Sequence, residues 1–158
     1  EFGVKLREVV YDMGGGLKGG RRLKFLVVGG PLAGPVMPEE LDTPLGVEEL
    51  RAIGASLGHG NVIAFSDDTT LLDALREVVE FAAYESCGKC FPCRLGTQRA
   101  AEILAAASAR GHLTREEAEE LRSLALVMRD ASLCGHGQAT GDAILSYLSK
   151  GWGEMVRG

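Results

Sequence analysis

The chain has 158 residues, 46% of them hydrophobic and 25% charged, enough for one moderate core or two small ones and too few for a large enzyme. Seventeen Lys and Arg against twenty-two Asp and Glu leave a formal charge of -5, which speaks against a non-specific nucleic-acid binder. No apolar run approaches the roughly 18 to 20 residues that span a bilayer, and Glu1-Phe2-Gly3 lacks a basic-then-apolar signal, so the expectation is a cytoplasmic protein with no direct membrane insertion.

In chain order, Leu6, Val9, Val10 and Met13 fall at i, i+3, i+4 and i+7 and predict a short amphipathic helix, stopped by Gly14 to Gly16 in left-handed conformations. Leu23 to Val28 is an apolar run entering Gly29-Gly30-Pro31 and reads as a buried strand ending in a turn. After a proline-rich stretch, Val47 to Ile53 looks helical, and Asn61 to Phe65, closed by Ser66-Asp67-Asp68, reads as a second strand. From there the pattern changes to Ala, Leu and Glu at helical spacing, which puts a domain boundary near residue 68: a small α+β unit over 1–68 and a helical unit over 69–158. The first long helix carries Leu71, Leu72, Leu75, Val78, Val79 and Ala82, with Asp67, Asp68 or Thr69 as its cap. A second is expected from near Arg94 to Gly111. A third follows the capping box Thr114 and Glu117, with Leu113 and Ala118 placed as a hydrophobic staple. Ile144, Leu145, Tyr147 and Leu148 mark a fourth, and the half is predicted as a four-helix bundle.

Four cysteines interrupt this half. Cys87, Cys90 and Cys93 form C-x2-C-x2-C, and Cys134 stands far downstream. In a reducing compartment such crowding points to metal rather than disulfides. Three local thiolates and one remote one suit a cubane iron–sulfur cluster, whose irons each take a different sulfur, and bacterial ferredoxins use the same local spacing. Structural zinc, which usually draws its cysteines from two separated pairs, is the alternative. Gly88 is read as removing a Cβ where the backbone nears the cluster, and Pro92 as keeping the segment from continuing as helix. Lys89 and Arg94 flank the site and can be field-setting charges or ordinary solvated ones. His136 could shape the surroundings of Cys134 but reads first as a loop residue. No His, whether His59, His112 or His136, is paired by the sequence with a nucleophile, so no catalytic residue is expected.

Gly14-Gly15-Gly16-Leu17-Lys18-Gly19 satisfies G-x-G-x-x-G, yet it follows a predicted helix and precedes a predicted strand, the reverse of the order a dinucleotide site needs. Gly29-Gly30-Pro31-Leu32-Ala33-Gly34-Pro35 lacks the Lys-Ser/Thr ending of a phosphate loop and reads as an irregular turn.

The segments Glu85-Ser86-Cys87-Gly88-Lys89-Cys90-Phe91-Pro92-Cys93-Arg94-Leu95-Gly96-Thr97 and Asp130-Ala131-Ser132-Leu133-Cys134-Gly135 resemble the C-terminal part of the NADH-binding flavoprotein subunit of respiratory complex I. The same module occurs in NAD-dependent formate dehydrogenases and NAD-reducing hydrogenases. Upstream, Gly29-Gly30-Pro31, Leu41-Asp42-Thr43-Pro44 and Asn61 to Thr69 resemble that family's β-grasp domain. The resemblance implies an α+β chain: a β-grasp-like, ubiquitin-like unit over 1–68, truncated at its start, followed by a four-helix bundle over 69–158. It implies a [4Fe–4S] cluster on Cys87, Cys90, Cys93 and Cys134, carrying electrons from FMN to ferredoxin-like and thioredoxin-like iron–sulfur subunits, peripheral to the inner membrane through those partners. FMN and NAD are implied for the whole subunit; this stretch is expected to be a fragment that binds neither and is inactive alone. Phe91 and Leu95 stand where complex I members commonly carry polar residues, and Ala139-Thr140-Gly141-Asp142 replaces a proline-containing stretch. A diaphorase subunit of a formate dehydrogenase or hydrogenase is therefore an alternative, and a zinc-stabilised interaction module another.

Overall fold

The computed structural model describes residues 3–158; Glu1 and Phe2, on which the reading of the chain start rests, lie outside the described residues. Helices and small sheets are mixed, and the chain divides between Thr69 and Thr70 into two compact units.

In the first unit, Leu6 opens a helical segment that becomes a π-helix over Glu8–Met13. The Gly14 N–H reaches back to the Val9 carbonyl at 3.0 Å, an i to i+5 bond. The wider turn breaks the expected stripe: Leu6 and Val10 are buried, but Met13 has rotated out and is exposed. Gly15 and Gly16 adopt φ of +73° and +77°, whereas Gly14 keeps a right-handed φ of -85°.

Strand β1 (Leu23–Val28) is central, antiparallel both to β2 (Pro35–Val36) and to β3 (Val62–Ser66). Leu26 pairs with Val36, and Val28 with Val62. Between Leu23 and Phe25 the register with β3 shifts, and the rings of Phe25 and Phe65 stack 4.5 Å apart. Leu26 and Val28, one face of β1, join Leu6, Val10, Val36, Leu41, Ala55 and Leu50 of helix α1 (Val47–Ala52) in the core of this unit. The glycine turn after β1 is explained by close approach: a Cβ on Gly29 would lie 2.4 Å from the Ser56 carbonyl oxygen. The G-x-G-x-x-G stretch runs from the end of the π-helix into a 3-10 turn, Lys18–Gly20, that leads into β1, so no helix of phosphate-binding kind opens from it.

The second unit contains α2 (Leu71–Glu85), α3 (Phe91–Arg110), α4 (Arg115–Ala131) and α5 (Gly135–Met155). The cap of α2 is Thr70, one residue past the expected candidates, its Oγ1 accepting the Asp73 N–H at 3.0 Å. Thr114 caps α4 in the expected box: Thr114 Oγ1 accepts the Glu117 N–H at 3.2 Å and the Glu117 carboxylate accepts the Thr114 N–H at 2.9 Å. Leu113 and Ala118 are both fully buried beside it. Helix α4 packs along α5 and α2 along α3, with α2 on α5 and α3 on α4 completing the arrangement. Their buried stripes are Leu75, Val79 and Ala82 of α2, Ala100, Ile103 and Leu104 of α3, Leu121, Ala125 and Met128 of α4, and Ile144 and Tyr147 of α5. Small residues set the spacing: a Cβ on Gly141 would lie 2.5 Å from the Ala125 carbonyl oxygen, and one on Gly96 2.7 Å from Met128 Cγ. Two short strands, β4 (Leu113–Thr114) and β5 (Val156–Arg157), pair in parallel and tie the start of α4 to the end of the chain.

Candidate metal centre

All four long helices have an end at the cysteines. Helix α2 stops at Glu85 because Ser86 turns extended, and Gly88 takes φ of +72°. Gly88 does not have the role expected of it. A Cβ there would meet only Arg94 Cδ at 3.7 Å, an ordinary contact, so the backbone angle rather than close approach calls for glycine. Cys90 is the N-cap of α3, and Pro92 lies in its first turn, where the missing N–H costs nothing. Pro92 therefore starts a helix rather than preventing one, and α3 begins three residues before Arg94. Cys93 falls inside that first turn and is buried. On the other side, α4 ends at Ala131, Ser132 is extended, and Cys134 is the N-cap of α5, which starts well before the stripe at Ile144 suggested.

The four thiols are free of disulfides; Cys87 and Cys134 are exposed, Cys90 is half-buried and Cys93 is buried. Burial pushes the Cys93 thiol up, the Ser86 hydroxyl opposes it, and the charges of Cys90, Cys134 and Cys87 add to the upward shift, so Cys134 lies within electrostatic reach of Cys93. The Cys90 thiol is held below its ordinary value, first by the backbone N–H of Leu133, then by that of Cys93, with the Ser132 hydroxyl adding to both against the opposing effect of burial. The dipoles of α3 and α5 both present their positive ends to this spot, which favours anionic sulfur.

Around the thiols the packing is close. Ser86 Oγ lies 3.4 Å from Cys93 Sγ. A Cβ on Gly137 would sit 2.3 Å from Ser132 Oγ and 2.9 Å from Cys93 Cβ, so only glycine lets the first turn of α5 seat against the cysteine segment. Thr97 Oγ1 donates to the Cys93 carbonyl at 2.8 Å and Thr140 Oγ1 to the His136 carbonyl at 2.7 Å, fixing the first turns of α3 and α5. His136 is engaged elsewhere: its Nε2–H donates to the Ala82 carbonyl at 2.9 Å, pinning α5 to α2. Arg94 stays local too, donating to the Gly88 carbonyl at 3.3 Å with its guanidinium 4.9 Å from the Phe91 ring centre. Lys89, Phe91, Leu95 and Leu133 are exposed.

This donor set fits a cluster better than a single ion. Structural zinc usually draws its four cysteines from two separated pairs, whereas here three are local and one is remote. A cubane asks instead for four thiolates spread over four irons, with N–H groups turned to the sulfurs and room kept by small side chains. Cys90 with its N–H neighbours and the Gly137 cradle meet that description.

Comparison with known proteins decides the family. Residues 73–157, more than half the chain, match the family described as NADH-ubiquinone oxidoreductase-F iron-sulfur binding region. The chain belongs to that family. Its cofactor is a [4Fe–4S] cluster, and the zinc-stabilised alternative falls away. The chain is 36% identical over 147 residues to the NADP-reducing hydrogenase subunit HndC of Solidesulfovibrio fructosivorans, covering 93% of this chain and 30% of that protein. It is likewise 36% identical over 147 residues to an NADH-quinone oxidoreductase subunit of Streptomyces coelicolor, covering 93% and 32%. A crystal structure of NAD+-reducing [NiFe]-hydrogenase in the H2-reduced state superposes with a TM-score of 0.78 at 32% identity, over 93% of this chain and 24% of that one. The chain thus spans about a third of the length of the curated relatives it matches.

Three neighbours of the thiols escape a reading of the sequence. Ser86 and Ser132 sit inside the cysteine segments, and their hydroxyls next to thiols are a usable signal. Gly137 carries none, because a glycine in the first turn of a helix looks neutral until the opposing helix is in place.

Proposed function

We propose that this chain is the electron-transfer portion of an NADH dehydrogenase (quinone) flavoprotein subunit, with Cys87, Cys90, Cys93 and Cys134 holding the [4Fe–4S] cluster and electrons passing from FMN to partner subunits. The observation that carries the proposal is that all four long helices end at the segments bearing the three local cysteines and the remote one, with Cys134 within electrostatic reach of Cys93, inside the stretch matched by the iron–sulfur family. When bound, the cluster accepts and releases one electron at a time. The protein supplies the rest: buried Cys93 anchors the inner side, exposed Cys87 and Cys134 bring the outer side to the surface of the helical unit, and two helix N-termini stabilise the negative charge.

On this reading residues 1–68 are a β-grasp-like domain, supported by the three-stranded antiparallel sheet with α1, and 69–158 are a four-helix bundle built to hold the cluster. FMN and NAD belong to the part of the whole protein that this chain does not span, so the chain alone should bind neither and be inactive. Its partners are ferredoxin-like and thioredoxin-like iron–sulfur subunits, which hold it on the cytoplasmic side, peripheral to the inner membrane. Among the described residues no helix is long and apolar enough to cross a membrane. A second reading, the diaphorase subunit of a hydrogenase, is favoured by one observation: the hydrogenase subunit matches at the same identity as the quinone oxidoreductase subunit. Isolating the whole protein with its partners out of the host separates them, since a hydrogenase large subunit in the complex would replace the first reading by the second. The cluster itself is tested by anaerobic reconstitution: about four irons and four acid-labile sulfides per chain, the cubane stoichiometry, are expected, and zinc bound in place of iron would overturn the proposal.

A further inference from the structure

Two serine hydroxyls lie within the cysteine segments: Ser86 Oγ stands 3.4 Å from Cys93 Sγ, and Ser132 Oγ is buried beside Gly137, which also presses on Cys93. Ser86 Oγ accepts the Gly88 N–H at 3.3 Å, which leaves its own proton for Cys93 Sγ, 3.4 Å away. Ser132 is only 6% exposed, and its hydroxyl has no hydrogen-bond partner of ordinary geometry among the described residues. Its backbone is nevertheless firmly held: the N–H donates to the Met128 carbonyl at 3.1 Å and the carbonyl accepts from Gln138 Nε2 at 3.0 Å. Gly137 presses on Ser132 Oγ and Cys93 Cβ together, so the hydroxyl is trapped within the cysteine crevice. A buried hydroxyl with no partner is destabilising, and a fold does not usually keep one unless something absent from the protein atoms satisfies it.

We propose that Ser86 and Ser132 are positioning residues for the cluster, donating hydrogen bonds to its sulfurs and raising its reduction potential. The proposal rests on the four cysteines being the ligands. The direction follows from charge: one-electron reduction makes the cluster more negative, and a donor aimed at sulfur stabilises the reduced form more than the oxidised one. The two hydroxyls belong to different segments, one after α2 and one after α4, so their effects should add.

The test is a redox titration of the reconstituted protein, followed by EPR of the reduced cluster, in the unmodified chain and in Ser86→Ala, Ser132→Ala and the double variant. Each alanine is expected to lower the ratio of reduced to oxidised cluster at fixed potential by roughly three- to tenfold, tenfold being about 59 mV for one electron, with the double variant lower still. Ser86→Thr and Ser132→Thr should restore the potential. Iron content is measured alongside, and the thermal midpoint of the apo protein should not fall in Ser132→Ala, since a purely structural hydroxyl would lower it. An unchanged potential at full iron content overturns the inference. If an alanine variant fails to load while its threonine counterpart loads, the hydroxyl contact is supported; if both fail, side-chain volume rather than the hydroxyl matters, and the inference is overturned. Failure of the unmodified chain to form a [4Fe–4S] cluster overturns the ligand assignment itself and is read before any serine is changed.

Discussion

Replacing Gly137 by Ala should separate the stability of α5 from the integrity of the cysteine site. Even at the helix-interior value, an upper bound in the first turn, the added methyl is favourable by only about 0.8 to 1 kcal/mol. Against that stand three contacts: Ser132 Oγ at 2.3 Å, Ser132 Cβ at 2.7 Å and Cys93 Cβ at 2.9 Å. The hydroxyl can rotate away, but the two Cβ atoms are fixed to backbone. Carbon atoms at rest stand about 3.5 to 4.0 Å apart, so α5 and the Cys93 turn must part by at least about 0.6 Å. Overpacking of this kind costs about 1 to 3 kcal/mol, leaving a net loss of up to about 2 kcal/mol. The larger consequence is chemical. Metal–ligand distances tolerate about 0.2 Å, so Cys93 displaced by several tenths of an ångström should hold its iron poorly. Calorimetry of the apo protein should show a midpoint lowered by a few degrees, and iron and sulfide analysis after reconstitution a loss of most of the cluster. Gly153→Ala, which meets nothing within 4 Å on the same helix, should be neutral or stabilising and load fully. A Gly137→Ala protein that gains stability and loads as well as the parent would refute the close packing of α5 on the cysteine segment.

Three further outcomes follow from the same structure. Thr114→Ala removes the capping box of α4 and should cost about 1 kcal/mol, read from urea midpoints, while leaving the cluster signal unchanged because the cap lies at the far end of α4 from Ser132. Asp73 is held below the usual carboxylate range, first by the Ser108 hydroxyl at 2.6 Å and then by that of Thr70 at 2.7 Å. A lowered carboxylate stabilises the fold above its unfolded value of about 3.9 and loses that contribution as pH falls through the folded value. Asp73→Asn should therefore be less stable than the parent at pH 7, by less than about 1 kcal/mol given solvent screening, and the gap in urea midpoints should close toward pH 3; a gap that widens in acid contradicts the assignment. Hydrogen exchange should show residues 85–93 and 130–142 loosening on removal of the cluster while 23–65 stay protected, since metal binding to thiolates is coupled to folding; equal protection of the cysteine loops in both states would mean that the helices alone fix the site.

The strand Leu23–Val28 and the Thr114–Glu117 cap are legible in the sequence because each rests on a local rule, an apolar run stopped by glycines and a reciprocal pair of side-chain bonds. The π-helix is not, because the spacing of Leu6 to Met13 implies a period of 3.6 and the wider turn is selected by what Leu6 and Val10 bury against. The early start of α5 is hidden by Gly135, Gly137 and Gly141, poor helix formers in isolation. Two of them, Gly137 and Gly141, are there because Ser132, Cys93 and Ala125 leave no room for a side chain. Pro92 reads locally as a helix breaker, whereas its place in the first turn makes it a starter. The cysteine spacing points to one cluster site, but which small polar groups complete it depends on tertiary packing that no local pattern encodes.

The central claim, that one remote thiol completes a site begun by three local ones, is tested most directly by replacing Cys134 with Ser and recording EPR of the reduced protein after anaerobic reconstitution, beside Cys87→Ser, Cys90→Ser and Cys93→Ser. All four variants are expected to lose the [4Fe–4S] signal to a similar degree. A Cys134→Ser protein with an unchanged [4Fe–4S] signal would contradict the assignment and leave the fourth ligand to be found elsewhere.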